Sequence, residues 1–580
     1  MRAAPFALLL IAGCSADVGV SRAPLTSPLW GEEGEAFDPR GRLMDWSFAG
    51  YHAGEDPLPS PPVVADVRDF GAVGDGVTDD GAALEAAIAA AGEGGTVRVP
   101  AGRYLSRRRL SLTPGVVLEG AGRGDTTLFF PEALEDVYPG ERNWSFGGGF
   151  IQASGASRMP ELTTVVAPAR RGDTRIVVAD ASVVSVGDWI LIRQTDVDGQ
   201  LMRRLHADLV DGGTDNVGDV GMRFPTRVLA VDGDALTLER ALPLDVELAW
   251  SPTVLAEESG RREVGVRGLT IAFPHTAYPG HFAERGYNAI HFERVWHGFV
   301  EDVRIENADY GVSFTSSFFC TASGVVLETT ASRGALEGHH GLNNGHGGDN
   351  LFVDFDVRAV FVHDLTNEWY AHGVVFTRGR GASLSMDHHR AAPYQTLWTE
   401  LHLGDGARAF TSGGRGDRGP HTAAYDTLWN VTADAPFGFP AGSYGPRMTY
   451  VGVGVRGEPP ASALEWHVED IAAADIEPAN LWEAMRRRRL GPAPEEDAGV
   501  RPRDAGARDG GRQRDASAPP LPDAGPAARD AGRGEVATGS CACRAGRRGD
   551  APGWWWLALA GGLVAARRRR PYTRIDGQRR

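Results

Sequence analysis

From Val264 to about residue 432 the chain keeps one rhythm. Short segments alternate apolar and polar positions, break at small or polar residues, and begin again: VGVRGLTIAF, AIHFERV, GFVEDVRIENA, GVSFT, GVVLETT, LFVDFDV, AVFVHDLT, GVVFTRG and LWTELHLG. Alternation over so few residues describes half-buried strands. Longer repeats start roughly every 20 to 28 residues, a period at which each repeat is one coil laid on the last. Such a coil cannot bury its apolar face alone. The core must therefore run along the stack, and the ends must be covered.

The first end is legible. Residues 67–91 read VRDFGAVGDGVTDDGAALEAAIAAA. Thr78 is placed to cap a helix, with Asp79 and Asp80 at its positive end. Leu84 and Ile88 share one face, and Gly92 ends the helix. Strands follow at 96–100, 103–105, 110–112 and 116–120. The string Asp69-Phe-Gly-Ala-Val-Gly-Asp-Gly-Val-Thr-Asp-Asp80, then Val99-Pro-Ala-Gly-Arg-Tyr104 and Val117-Leu-Glu-Gly120, resembles the start of pectate-lyase-superfamily proteins. The resemblance implies an all-β, right-handed parallel β-helix whose small N-terminal helix covers an open strand edge. It leaves the chemistry open, because that family holds lyases, hydrolases, epimerases and phage tail proteins.

Other segments break the rhythm. Residues 15–62 are Gly- and Pro-rich and are expected to lie extended over the main domain, which spans 63–490. Residues 160–250 alternate as strands with turns at Gly187-Asp188 and Asp232-Gly233-Asp234, and predict a β-rich insertion. A short helix is expected over 478–489. Residues 491–540 repeat Asp-Ala-Gly among prolines and arginines, a composition that buries no core.

Both termini read as targeting signals. MRAAPFALLLIAGC reads as an export leader whose Ile-Ala-Gly-Cys ending resembles a bacterial lipoprotein signal, with Cys14 lipidated. Residues 541–580 hold Cys541 and Cys543, an apolar run from Trp554 to Ala566, and Arg567–Arg570. That layout resembles the C-terminal sorting signal of myxobacterial surface proteins. The resemblance implies a processing protease and display at the cell surface. The alternative is a weak membrane anchor with its basic end inside. The remaining cysteine, Cys320, is expected to be a buried hydrophobe, so no disulfide framework holds the domain.

Function is concentrated between Glu337 and Tyr425, which hold nine of the sixteen histidines. Polar blocks at 337–350, 367–372, 387–394 and 415–425 lie about one coil apart, so stacking would bring them into one groove. Formal net charge is −17, which excludes a general nucleic-acid binder. All 59 basic residues are arginine, so cationic partners must be arginine or protonated histidine. Membrane contact is expected only through the lipid or the tail.

Three chemistries fit. Elimination from an acidic, uronic-acid polysaccharide needs a base, an acid and neutralisation of the carboxylate. His340 or His372 is the expected base, Tyr370 or Tyr394 the acid, and Asn344 and Arg390 the neutralisers. His346, Arg415, Arg418, His421 and Trp369 are expected to bind substrate. A glycoside hydrolase would instead need two carboxylates, drawn from Glu368, Asp387, Glu400 and Asp417. A carbohydrate-binding surface protein would need only aromatic and polar contacts. Calcium stays open as a cofactor through Asp349, Asp354 and Asp356, although Asp354 and Asp356 read better as solvent-facing strand positions. Trp398 and Trp429 sit in similar strings and are expected to fill the core of equivalent strands.

Overall fold

The computed structural model describes residues 24–491, apart from 157–158, 207–220, 258–260 and 441–443. Cys14, the linker after Gly491, and the tail with Cys541 and Cys543 lie outside the described residues. Among the described residues no helix is long and apolar enough to cross a membrane.

The alternating segments form a parallel β-helix. Successive coils build three sheets. The first sheet runs from Val63–Asp66 through Gly95–Val99 and Val116–Gly120, and reaches His467–Glu469. The second begins with Asp75–Asp79, Gly102–Leu105 and Thr126–Phe129. The third contains Leu110–Ser111, Ile151–Ser154, Asn288–Glu293, Tyr310–Thr315, Gly338–Gly345, Phe361–Glu368 and Met386–His388.

One residue per coil turns the first sheet into the second. Gly268, Asp302, Gly324, Asp354, Arg378, Glu400, Asn430 and Gly452 all have positive φ, between 47° and 66°. They occupy one register position across successive strands. Left-handed backbone is costly for residues with a Cβ, so its recurrence at one position marks a bend the coil requires. Side chains there point to solvent and pair along the stack. Arg378 Nε lies 2.7 Å from Asp354 Oδ1, and Arg380 Nη2 lies 2.9 Å from Asp356 Oδ2.

The interior is filled by like on like. Phe352, Phe376 and Trp398 stack at 4.7 and 4.6 Å between ring centroids, nearly parallel. Cys320 is fully buried in this core, and burial pushes its thiol up to about 12. Trp398 and Trp429 are not equivalent. Trp398 pairs with Leu428 and Thr399 pairs with Trp429, so the two tryptophans are offset by one residue. A one-residue offset reverses the face. Trp398 points inward, and Trp429 packs outside, against Trp482 and Leu481.

The capping helix spans Gly81–Ala91 and buries Ala83, Leu84, Ala87 and Ile88 over the open end. Its start differs from expectation. Thr78 belongs to the preceding strand and bonds Asp75, while the buried Asp80 carboxylate accepts from Val73 and Gly74 N–H, at 2.6 and 3.1 Å.

Two further pieces cover the side of the stack. Residues 24–62 run across its outer surface, where Trp46 Nε1 donates to Gln395 O at 2.8 Å. The insertion is a mainly antiparallel six-stranded sheet lying between Glu161 and Ala256. It is latched to the stack by Arg240, whose guanidinium makes two bonds to Asp349, at 2.6 and 2.8 Å. Both side chains are buried. The C-terminal helix, Leu481–Leu490, is capped by Asn480 and packs on the same outer face.

Candidate active site on the third sheet

The outward face of the third sheet carries the densest set of titratable groups. Tyr310, His340 and His363 align across three successive strands. Ser313, Asn343, Thr366 and Asp387 form a second row, and Thr315, Gly345 and Glu368 a third. His389 follows the strand that ends at His388. Gly311 and Gly341 sit beside the first row. A Cβ on Gly311 would lie 2.4 Å from Gly341 O, so only glycine allows this approach.

Loops close over the face. The 274–287 segment brings His281, Phe282 and Glu284. His281 stacks on Phe282 with centroids 3.7 Å apart and reaches His339 at 4.6 Å. Phe282 meets Phe146 at 5.6 Å, and both rings are more than half exposed. From the other side Gly413 N–H donates to Asp387 Oδ1 at 2.8 Å. A Cβ on Gly413 would fall 2.2 Å from His363 and 2.7 Å from His389.

Asp387 organises the cluster. Its Oδ2 bonds His389 Nδ1 at 2.8 Å and lies 3.1 Å from His363 Nδ1. Burial opposes its charge, but the two imidazoles outweigh burial and hold the carboxyl well below the usual range. Burial also pulls His389 down; the Asp387 charge and hydrogen bond outweigh it and raise this imidazole. His340 goes the other way. Burial, then His339, His363 and His389, hold it well below its ordinary value. Its Nδ1 meets Thr366 Oγ1 at 3.0 Å, and its ring stacks on Tyr310 at 4.6 Å. Burial lifts Tyr310 well above a normal phenol. Burial raises Glu368 too, partly offset by His389 and Arg418. Arg418 lies 4.4 Å over the Trp369 ring, whose indole also stacks on His346 at 5.0 Å.

The expected residues therefore separate. His340, Glu368, Asp387, Trp369, His346 and Arg418 gather on or beside this face. His372, Tyr370 and Tyr394 do not. They are buried where the insertion packs, with Leu201, Met202, Leu205 and Trp250 against the two tyrosines. Tyr370 donates to Asp196 of the insertion, so none of the three meets substrate from solvent. Asn344 points into the coil, where its Oδ1 accepts from Asn350 at 2.7 Å. His388 also points inward and bonds Asp426 at 2.8 Å. Arg390 donates to Gly414 O and Gly419 O, and His421 to His388 O; both hold loops. Arg415 pairs with Asp417 in an exposed turn. Glu400 sits on the other corner and accepts from Asn480. Asp349, Asp354 and Asp356 each pair with different arginines and do not converge.

Tyr310 and His281 lie outside the stretch the sequence nominated, while His339, His363 and His389 lie within it but carried no expected role. Counting one coil back from His340 finds Tyr310. No spacing rule finds His281, which arrives on a loop.

Comparison with known proteins bears on the start of the chain. Residues 64–137 match the family model described as rhamnogalacturonase A/epimerase, pectate lyase-like. A stretch of 90 residues is 49% identical to mannuronan C5-epimerase AlgE4 of Azotobacter vinelandii, covering 14% of this chain and 16% of that protein. Over 83 residues the chain is 40% identical to alginate lyase 7 of the same organism, covering 13% of this chain and 10% of that protein. The chain thus spans a small part of these relatives. Among solved structures, the tailspike protein gp49 of Pseudomonas phage LKA1 superposes with a TM-score of 0.41 at 15% identity, over 67% of this chain and 59% of that one. With its matching N-terminal segment and its stacked parallel coils, the chain has a pectate-lyase-like parallel β-helix fold.

Proposed function

We propose that this chain is an enzyme acting on a uronic-acid polysaccharide, and that it removes the proton at C5 to cleave the chain by β-elimination. The observation that carries the reading is the Asp387–His389 pair on the open face of the third sheet, flanked by Tyr310, Glu368 and Arg418. Asp387, bonded to His389 Nδ1, orients the imidazole and stabilises the imidazolium that forms when it takes a proton. Arg418, whose guanidinium carbon lies 4.4 Å from the Trp369 ring centroid, supplies the positive charge a uronate carboxylate needs as C5 becomes carbanionic. Tyr310, a phenol that burial holds well above its ordinary value, is the group able to donate to the leaving oxygen, with Glu368, whose carboxyl burial raises, beside it. His340, kept neutral, completes the polar lining.

The matched relatives support the same first step. One is named as a C5-epimerase and the other as a lyase, and both reactions break C5–H. Epimerisation is therefore the second reading: proton return to C5 in place of loss of the leaving group. Hydrolysis is disfavoured because Asp387 is fully buried and already engaged by His389 and Gly413, so it has no free oxygen to activate water. The reading includes export to the cell surface, on the leader and the cysteine-containing tail.

The test is incubation with alginate, polygalacturonate and other uronans, following ultraviolet absorbance of the unsaturated product and, in D2O, deuterium uptake at C5. Absorbance that falls about 10²- to 10⁴-fold in His389→Ala is the expected result. Deuterium uptake without absorbance moves the assignment to epimerisation. New reducing ends without either signal would establish hydrolysis instead. Binding with no chemistry would reduce the face to a recognition surface.

A further inference from the structure

The histidines beyond the Asp387–His389 pair have their own geometry. His281, His339 and His363 come from a loop and two adjacent coils. Each offers a ring nitrogen, and the three atoms lie within 4.8 Å of one another. His339 and His363 are 2% and 3% exposed. Both ring nitrogens of His363 are buried without a hydrogen-bond partner, and Nδ1 lies 3.1 Å from an Asp387 oxygen. His339 Nδ1 faces a buried carboxylate in the same way, Glu284 Oε1 at 3.4 Å. Glu284 is itself fixed by Ser145, which donates to its other oxygen at 2.6 Å, and by Tyr278.

We infer that His281, His339 and His363 form a binding site for a divalent transition-metal ion of the zinc class. Two observations carry this beyond a mere cluster. First, a buried imidazole nitrogen with no partner is costly, and a metal ion would satisfy one of the two on His363. Second, carboxylates stand behind two of the three rings. Carboxylates in that place supply the negative charge that supports ligating histidines once the rings settle on a metal. Three neutral nitrogen donors select zinc, cobalt, nickel or copper over calcium and magnesium, which require oxygen. Tetrahedral zinc, with bonds of about 2.0–2.1 Å, places its ligands about 3.3 Å apart. The three nitrogens, within 4.8 Å of one another, would draw together on binding, and His281 is exposed on its loop. Three protein ligands leave a fourth position for water or an anionic group of a substrate. The site shares Asp387 with His389, so metal binding and the proton-transfer role given to His389 meet at that carboxylate.

The experiment uses the full chain without a purification tag. Equilibrium dialysis against Zn²⁺, and separately Ca²⁺, is followed by metal analysis; Co²⁺ loading is followed by visible absorption. One equivalent of zinc, no calcium, and a Co²⁺ band of low-symmetry coordination are expected. His281→Ala, on an exposed loop, should abolish the stoichiometric site while the protein stays folded. His363→Ala should do the same. Glu284→Gln should weaken zinc about 10- to 100-fold. His402→Ala, an exposed histidine on another side of the coil, should change nothing. Zinc that stays bound in His281→Ala and His363→Ala, or a wild-type chain that takes up none at micromolar concentration, overturns the assignment.

Discussion

Two regions of this molecule are alike in sequence and opposite in use. The corner after the third sheet carries His372, Tyr370, Tyr394 and Asp349. The open face of the third sheet carries Tyr310, His340, His363, Asp387 and His389. Both are polar, aromatic and rich in groups that titrate. The corner is sealed under the insertion and the N-terminal segment, so its polar groups pair with each other or pack on apolar neighbours. The face is covered only by loops, which leave His281, His389 and Trp369 partly in reach of solvent. The difference teaches that composition nominates a surface, while burial by a distant segment decides whether it can meet a substrate.

The largest effect expected is on the sealed side. Arg240→Ala leaves the Asp349 carboxylate buried without its partner, a loss of about 3–5 kcal/mol. Denaturant unfolding checks it, and a shift below about 1 kcal/mol would mean that the insertion is not latched there. On the open side, Gly413→Ala drives a methyl into His363 and His389. Overpacking of this kind costs about 1–3 kcal/mol, and activity should fall more steeply than stability. Equal retention of both would show that the loop yields and that the face is less confined than described.

Acidity separates the two regions by sign. Burial depresses His372 to about 4, so the unfolded chain binds this proton first. Its contribution to stability is therefore lost as pH falls below about 6.5, at no more than about 1.4 kcal/mol per pH unit. His389 is raised, so its contribution is full below about 6.5 and is lost as pH rises through its folded value. Comparing the pH dependence of stability in wild type, His372→Gln and His389→Gln should give slope changes of opposite sign. Like signs would contradict the division. The smallest effect belongs to Tyr394→Phe. The Tyr394 hydroxyl is buried without a partner, so its removal should leave activity within about twofold and stability unchanged or slightly higher. A large loss of turnover would return Tyr394 to the chemistry.

The coil was legible because alternation and period are local properties. The capping segment was legible because a dozen consecutive residues resemble a known opening. The site was legible only as a stretch. Nothing between Glu337 and Tyr425 reveals that residues 161–256, far upstream, cover His372 and Tyr394. Alternation from the core residue Leu342 does separate Asn344, which points inward, from Asn343, which points outward. Trp398 and Trp429 were not legible in this way. Similar strings fell one residue out of register, and the two rings ended on opposite faces. Tyr310 lay one coil before the dense stretch, and His281 on a loop whose path is set by packing alone.

The ladder of left-handed residues from Gly268 to Gly452 has a consequence for how such a chain can change its length. Spacing along the ladder varies, yet the bend always falls at the same rung. Length is therefore absorbed elsewhere on the circuit, in loops, and each rung is a natural splice point. Excision from one rung to the next, such as residues 379–400, would remove a whole storey. Arg378 would then take the rung of Glu400 and run directly into Leu401, with the stair intact. Genes that gain or lose material in such units would alter the reach of the molecule along a polymer without redrawing its cross-section.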